Sequence, residues 1–291
     1  VLQVTTIKIA FQQVSKTFPI KGTKQVAKQT FTALEDITLD VRDGEFFVIV
    51  GPSGCGKSTL LDLLGGLTRP TRGQIVLDGK TINGPGLDRG MVFQQYALFP
   101  WRTALGNVEF GLEAKGMPDA QRKRVARDYL GVVGLQSFEN RYPHELSGGM
   151  KQRVAIARSL AYDPEVLMMD EPFAALDAQT REMLQAELLT IWKRTGKTIV
   201  FITHGIDEAI FLGQRVAIMT SRPGRIKQLI EIPESIRDAG LEARAHPEFG
   251  RVRQEVWNLL REEVLKSQRE RRSLVNLGAR TNVDSEVASH G

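Results

Sequence analysis

A short apolar run, Phe46–Val50, passes directly into Gly51-Pro52-Ser53-Gly54-Cys55-Gly56-Lys57-Ser58 and then into a helix-forming stretch, Lys57–Leu67. A run that brief and apolar at every position reads as a strand covered on both faces, which belongs in a parallel sheet flanked by helices. The segment between fits G-x-x-x-x-G-K-[ST], with the strand before and the helix after that the pattern requires. Its glycines let successive N–H groups curl round a phosphate, and the helix start adds the positive end of its dipole. Lys57 then supplies a point charge to the β- and γ-phosphates, and the Ser58 hydroxyl is a ligand for Mg²⁺. The cradle runs from Gly51, Pro52, Ser53 and Gly54 through Cys55, Gly56 and Lys57 to Ser58 and Thr59.

The rest of the chain repeats the alternation of strand and helix. Val166–Asp170 and Thr198–Thr203 read as further buried strands, followed by helices over Gln179–Arg194 and Ile206–Leu212. Ile7–Phe18 and Ile37–Val41 read as antiparallel strands separated by a polar loop, Ile20–Thr30. Between Gln94 and Leu160 the pattern turns helical, with Pro118–Val133 and Gly149–Leu160 the clearest pieces, so an inserted helical subdomain is expected at about residues 95–160. Arg215–Met219 and Ile226–Ile230 form a closing hairpin across Ser221-Arg222-Pro223-Gly224. The expected division is a catalytic domain over residues 1–234 and an extension over 235–291, made of an amphipathic helix (Gly250–Lys266) and a frayed polar tail.

The strand Val166-Leu167-Met168-Met169-Asp170 ends in Asp170-Glu171. Ligand sites of parallel sheets lie at the carboxyl ends of strands, so both carboxylates are expected beside the phosphates, Asp170 on the metal and Glu171 as base for an attacking water. One cysteine excludes an internal disulfide and fits a reducing compartment, and the apolar runs are strand-sized, so a cytoplasmic protein is expected. The first residues lack the pattern of a signal peptide. Cys55 lies near Lys57 and a helix start, where a thiolate is favoured, and is assigned no catalytic role. The net charge of +5 is concentrated in the arginine-rich end, and a solvated surface is its reading ahead of nucleic acid or anionic lipid.

Leu146-Ser147-Gly148-Gly149-Met150-Lys151-Gln152, just before a helix and upstream of Asp170, resembles the signature motif of the ABC ATPases. The resemblance spans about residues 5–232. It implies an α/β P-loop NTPase fold of ABC type, with a mixed-sheet core, an antiparallel β-subdomain and an inserted helical subdomain. It also implies a head-to-tail dimer, in which Ser147, Gly148 and Gly149 of one copy grip the γ-phosphate of ATP held by the other. By the same resemblance Gln94 contacts the metal and the attacking water, Asp177 in Ala175-Leu176-Asp177 meets the opposite subunit, and His204 contacts the γ-phosphate. Phe18 is the candidate for stacking on adenine, with Phe31 as the alternative.

Met150 at the end of the signature, Phe93-Gln94-Gln95, Phe99-Pro100-Trp101 and His246–Glu263 are similar to the nitrate/sulfonate/taurine importer subclass. That subclass implies uptake of a small anion through a separate membrane permease and an extracytoplasmic solute-binding protein. Tyr96, Leu98, Phe99, Pro100 and Trp101 are then the expected docking surface for a cytoplasmic helix of the permease. The alternative is a soluble ABC ATPase acting on nucleic acid, in translation or DNA repair. Such proteins carry two cassettes in one chain or a long coiled-coil insertion, and this sequence has neither.

Overall fold

The computed structural model of the protein describes residues 6–20 and 30–287, with side chains as far as residue 269. Strands β1 (Ile7–Pro19) and β2 (Thr30–Arg42) pair antiparallel from Ile7↔Arg42 to Pro19↔Thr30. The second strand is therefore much longer than the Ile37–Val41 expected. Gln13 and Asp36 have positive φ, 51° and 50°, and the register shifts nearby, so bulges break the period-two pattern that would have revealed it. The polar loop expected between the strands falls, apart from its ends, outside the described residues.

Next come β3 (Phe46–Val50), α1 (Lys57–Leu64), β4 (Arg72–Leu77), β5 (Lys80–Thr81) and β6 (Arg89–Val92). Helix α1 stops short of Leu67 because Gly65 and Gly66 follow, Gly66 with φ of 72°. Helices α2 (Ala104–Ala114), α3 (Asp119–Val132) and α4 (Gly148–Ala161) pack on one another as a separate helical layer. The chain then returns through β7 (Val166–Asp170), α5 (Ala178–Thr195), β8 (Thr198–Thr203), α6 (Ile206–Leu212), β9 (Arg215–Met219) and β10 (Ile226–Glu231).

Two sheets result. One has the order β2-β1-β4-β5 and is antiparallel; the other has the order β10-β9-β3-β8-β7-β6 and is parallel except for β10. Successive residues of β3 serve opposite faces, as pleating requires. Phe47 and Ile49 join α1 and the inner face of the antiparallel sheet in one core. Phe46, Val48 and Val50 face a second core, built with the helical layer, α5, α6 and the C-terminal helix. The carboxyl ends of β3, β7 and β8 thus open at one edge, between two packed cores.

After β10, α7 (Glu234–Asp238) and a 3₁₀ segment (Gly240–Ala245) lead into α8 (Pro247–Val287). Phe249, Val252, Val256 and Leu260 form its buried stripe at helical spacing. The helix is described as far as Val287, beyond the Lys266 at which the amphipathic stretch was expected to end. Once an amphipathic stretch has nucleated a helix, each further residue costs little, and the Arg-, Glu- and Leu-containing continuation propagates it.

Candidate active site

The glycine-rich segment bridges β3 and α1 in a conformation that ordinary residues resist. Gly54 and Gly56 have φ of 78° and 107°, and a Cβ on Gly56 would stand 2.7 Å from Leu34 Cδ2. Ser53, Gly54 and Ser58 are exposed, Gly56 and Thr59 half-buried, and Gly51 and Pro52 buried at the base. Lys57 is 6% exposed and folds back, donating to the Gly51 carbonyl at 2.9 Å and the Pro52 carbonyl at 3.3 Å. Its ammonium group is 3.9 Å from Glu171 Oε1.

Cys55 corrects an expectation. Its thiol points into the core, 1% exposed, and burial pushes it up despite the charge of Lys57 beside it, so a thiolate is disfavoured.

Asp170 ends β7, half-buried. Burial raises its carboxyl and the neighbouring Glu171 adds to this, while a hydrogen bond with Ser58 and the charge of Lys57 pull the other way. Ser58 and Asp170 thus present hard oxygen donors side by side, the set that Mg²⁺ prefers. Glu171 has φ of 45°, and its N–H donates to the Ile202 carbonyl of β8 at 3.0 Å. That pinned backbone turns its carboxylate between Lys57 and His204, whose Nδ1 lies 3.2 Å from Glu171 Oε2. Three strand ends therefore bring Lys57, Ser58, Asp170, Glu171 and His204 together. The His204 side chain is 64% exposed and opens on a cleft of about 790 Å³ that also reaches Arg181, Arg253 and Trp257.

The other predicted residues lie elsewhere. Gln94 is exposed in the turn two residues beyond β6, which ends at Val92. Ser147 is the exposed N-cap of α4: its hydroxyl accepts from the Met150 N–H at 3.3 Å, and Gly148 and Gly149 form the half-buried first turn of a helix in the other layer. Asp177 caps α5 through the Thr180 N–H at 2.9 Å, a bond that pulls its carboxyl down. Phe18 and Phe31 are cross-strand partners; Lys16 lies over the first ring and Arg222 over the second, each at 5.0 Å.

Sequence reasoning passed over Arg222, which donates from Nε to the Gly54 carbonyl at 2.7 Å. Ser221-Arg222-Pro223-Gly224 was legible only as a turn. It also passed over Arg158 of α4, which donates to the Tyr96 and Ala97 carbonyls at 3.0 and 2.6 Å and so ties the signature helix to the segment after Gln94.

Known proteins resemble this chain along most of its length. An uncharacterized ABC transporter ATP-binding protein of Methanocaldococcus jannaschii is 52% identical over 262 residues, covering 90% of this chain and 94% of its own. The chain belongs to the ABC transporter ATP-binding proteins. The ABC transporter family pattern itself matches residues 34–174. The nitrate import ATP-binding protein NrtD of Synechocystis is 51% identical, over 79% of this ABC protein and 88% of its own length. The taurine import ATP-binding protein TauB of Roseobacter denitrificans is 49% identical, over 78% and 86%. An ATP-binding cassette solved as a dimer in a post-hydrolysis state with ADP and Pi superposes with a TM-score of 0.67 at 35% identity, over 77% of this chain and 99% of that one. The protein binds ATP and is an ATPase whose hydrolysis is coupled to transport.

Proposed function

We propose that two copies of the chain close head to tail on two ATP molecules and drive uptake of a small solute through a membrane permease. Each nucleotide is held by Gly51–Thr59 of one copy and by Ser147, Gly148 and Gly149 of the other. Lys57 exchanges its carbonyl partners for the β- and γ-phosphates. Ser58 and Asp170, with Gln94, hold Mg²⁺, which when bound neutralises charge on the phosphate oxygens. Glu171 orients and deprotonates the attacking water, and His204 contacts the γ-phosphate and steadies that water. Asp177 meets the opposite subunit. Phe18 stacks on adenine, with Phe31 as the alternative.

The observation that carries the reading is the Glu171 carboxylate, held between Lys57 and His204 at 3.9 and 3.2 Å. A carboxylate there would face the terminal phosphate, while the Ser147 helix end stands in a different layer, which supports its meeting the nucleotide of a second copy. Glu171→Gln keeps the shape and removes the base. It is expected to bind ATP normally, lose about 10²–10⁴-fold in turnover and accumulate an ATP-bound dimer on gel filtration. Turnover within about twofold of wild type rejects the assignment.

The names of the relatives support a small anion such as nitrate, a sulfonate or taurine as the solute, delivered by an extracytoplasmic solute-binding protein. No helix among the described residues is long and apolar enough to cross a membrane. In this reading, which the importer names of the relatives support, the subunit lies on the cytoplasmic face, held peripherally by the permease, and does not act on nucleic acid. The catalytic domain spans residues 1–234, and 235–291 form its C-terminal extension.

Trp101, 71% exposed, supports the docking surface. It leans on Phe99, which packs against Phe110 at a centroid distance of 4.6 Å, while Tyr96 and Leu98 pack inward on the core. Uptake of labelled nitrate and taurine into vesicles carrying the permease with this subunit tests the solute. Transport of neither removes that part of the reading.

A further inference from the structure

The chain beyond β10 reaches back to the loop that carries His204. Thr203 and Gly205 flank that histidine, and one oxygen serves both: the Gly205 N–H donates to Thr203 Oγ1 at 2.9 Å, and the hydroxyl itself donates to Glu208 Oε2 of α6. The other carboxylate oxygen of Glu208 accepts from Gln185 Nε2 of α5 at 2.8 Å. Gln185 is 1% exposed, and its Oε1 accepts from the Arg244 guanidinium at 2.6 Å. Arg244 belongs to the 3₁₀ segment Gly240–Ala245, lies over the Phe211 ring at 4.5 Å and stands 3.6 Å from Glu182.

The polarity of this chain runs one way. A glutamine amide has a donor end and an acceptor end, whereas a guanidinium only donates. Arg244 therefore claims the Gln185 carbonyl and turns the NH₂ end toward Glu208. With one oxygen supplied by Gln185, Glu208 accepts the Thr203 hydroxyl hydrogen bond on the other, which leaves a Thr203 lone pair for the Gly205 N–H. Without Arg244 the buried Gln185 carbonyl is left without that donor, and the amide has no good second orientation. Turned over, it would set its carbonyl against a buried carboxylate, an arrangement that costs the full desolvation of both groups. Gln185 also sits on the helix that Asp177 caps, so the network joins the C-terminal arm, α5 and the His204 loop at one buried amide.

We propose that Arg244 is a positioning residue for ATP turnover: through Gln185, Glu208 and Thr203 it fixes the backbone on both sides of His204. The C-terminal arm then sets how fast bound ATP is hydrolysed and not how tightly it is held, because no member of the network belongs to the Gly51–Thr59 cradle. The inference rests on the reading of His204 given above.

The test is steady-state hydrolysis by the full chain. Arg244→Met keeps an unbranched stem over Phe211 but has no donor, and Gln185→Leu removes the amide. Displacement of a reacting group by about 1 Å costs on the order of 10²-fold, so each variant is expected to lose about tenfold or more in kcat with KM for ATP nearly unchanged. The double variant is expected to fall no further than the slower single one, since both break one chain. Arg244→Lys, which can still donate, is expected to recover at least half of the rate. Glu182→Gln, which touches Arg244 outside the network, is expected to turn over like wild type.

Wild-type kcat in Arg244→Met and Gln185→Leu overturns the proposal. So does a loss expressed as raised KM, or an Arg244→Lys variant as slow as Arg244→Met. His204→Ala is measured alongside. If it abolishes hydrolysis while Arg244→Met keeps the wild-type kcat, the brace is refuted and the role of His204 stands; if it hydrolyses normally, both fall.

Discussion

Glu263 offers a measurable link between the C-terminal helix and the phosphate loop. It is 1% exposed and accepts from the Ser221 N–H at 3.0 Å, the Ser221 hydroxyl at 3.2 Å, Lys227 at 2.9 Å and Lys266 at 3.2 Å. Burial alone would raise its carboxyl, but these donors and charges prevail and hold it at about 2, against an ordinary 4.5. At about 1.4 kcal/mol per pH unit, that difference stabilises the fold by about 3 kcal/mol. The folded value is depressed, so the stabilisation is present in full above pH 4.5 and is lost as pH falls from there through about 2. Glu263→Gln, read by urea unfolding with tryptophan fluorescence, is expected to cost about 3 kcal/mol at pH 7, and the gap to wild type should narrow to about 2 kcal/mol at pH 3.5. A gap below about 0.5 kcal/mol at pH 7, or one equally large at both pH values, refutes the reasoning. The residue after Ser221 is Arg222, which grips the Gly54 carbonyl, so this anchor also steadies the nucleotide cradle.

Two further outcomes are expected. Iodoacetamide at neutral pH should leave Cys55 unmodified in the folded protein and alkylate it in urea, because the thiol is buried and pushed up; rapid labelling of the native protein contradicts that placement. Trp101→Glu should leave the isolated subunit folded and hydrolysing ATP but impair assembly with the permease or uncouple transport. Normal transport by that variant moves the docking surface elsewhere.

The parts of the candidate site that could be read from sequence are those where one contiguous segment carries both the proposed chemistry and its scaffold. Gly51–Ser58 announces itself because strand, turn and helix follow without interruption, and Asp170-Glu171 because they end an apolar run. Where function depends on residues far apart in the chain, sequence reasoning stopped short. Arg222 meets Gly54 across 168 positions, and Arg244 meets Gln185 across 59, with no local pattern to mark either. Bulges at Gln13 and Asp36 hid most of β2, since one extra residue inverts the alternation on which strand recognition rests. Cys55 was misjudged for a related reason. Proximity in sequence to Lys57 says nothing about which way a side chain points, and this one points into the core.

The central claim is that each ATP is shared between two copies, and a forced heterodimer tests it most directly. Lys57→Ala removes the ammonium proposed to face the phosphates in one half of the site, and Ser147→Arg blocks the other half. Linked in one heterodimer, the two variants place both defects in one composite site and leave the second intact. Hydrolysis is expected to survive in the heterodimer while both mutant homodimers are inactive. A Ser147→Arg homodimer that hydrolyses ATP at the wild-type rate would show that each chain works alone and contradict the account.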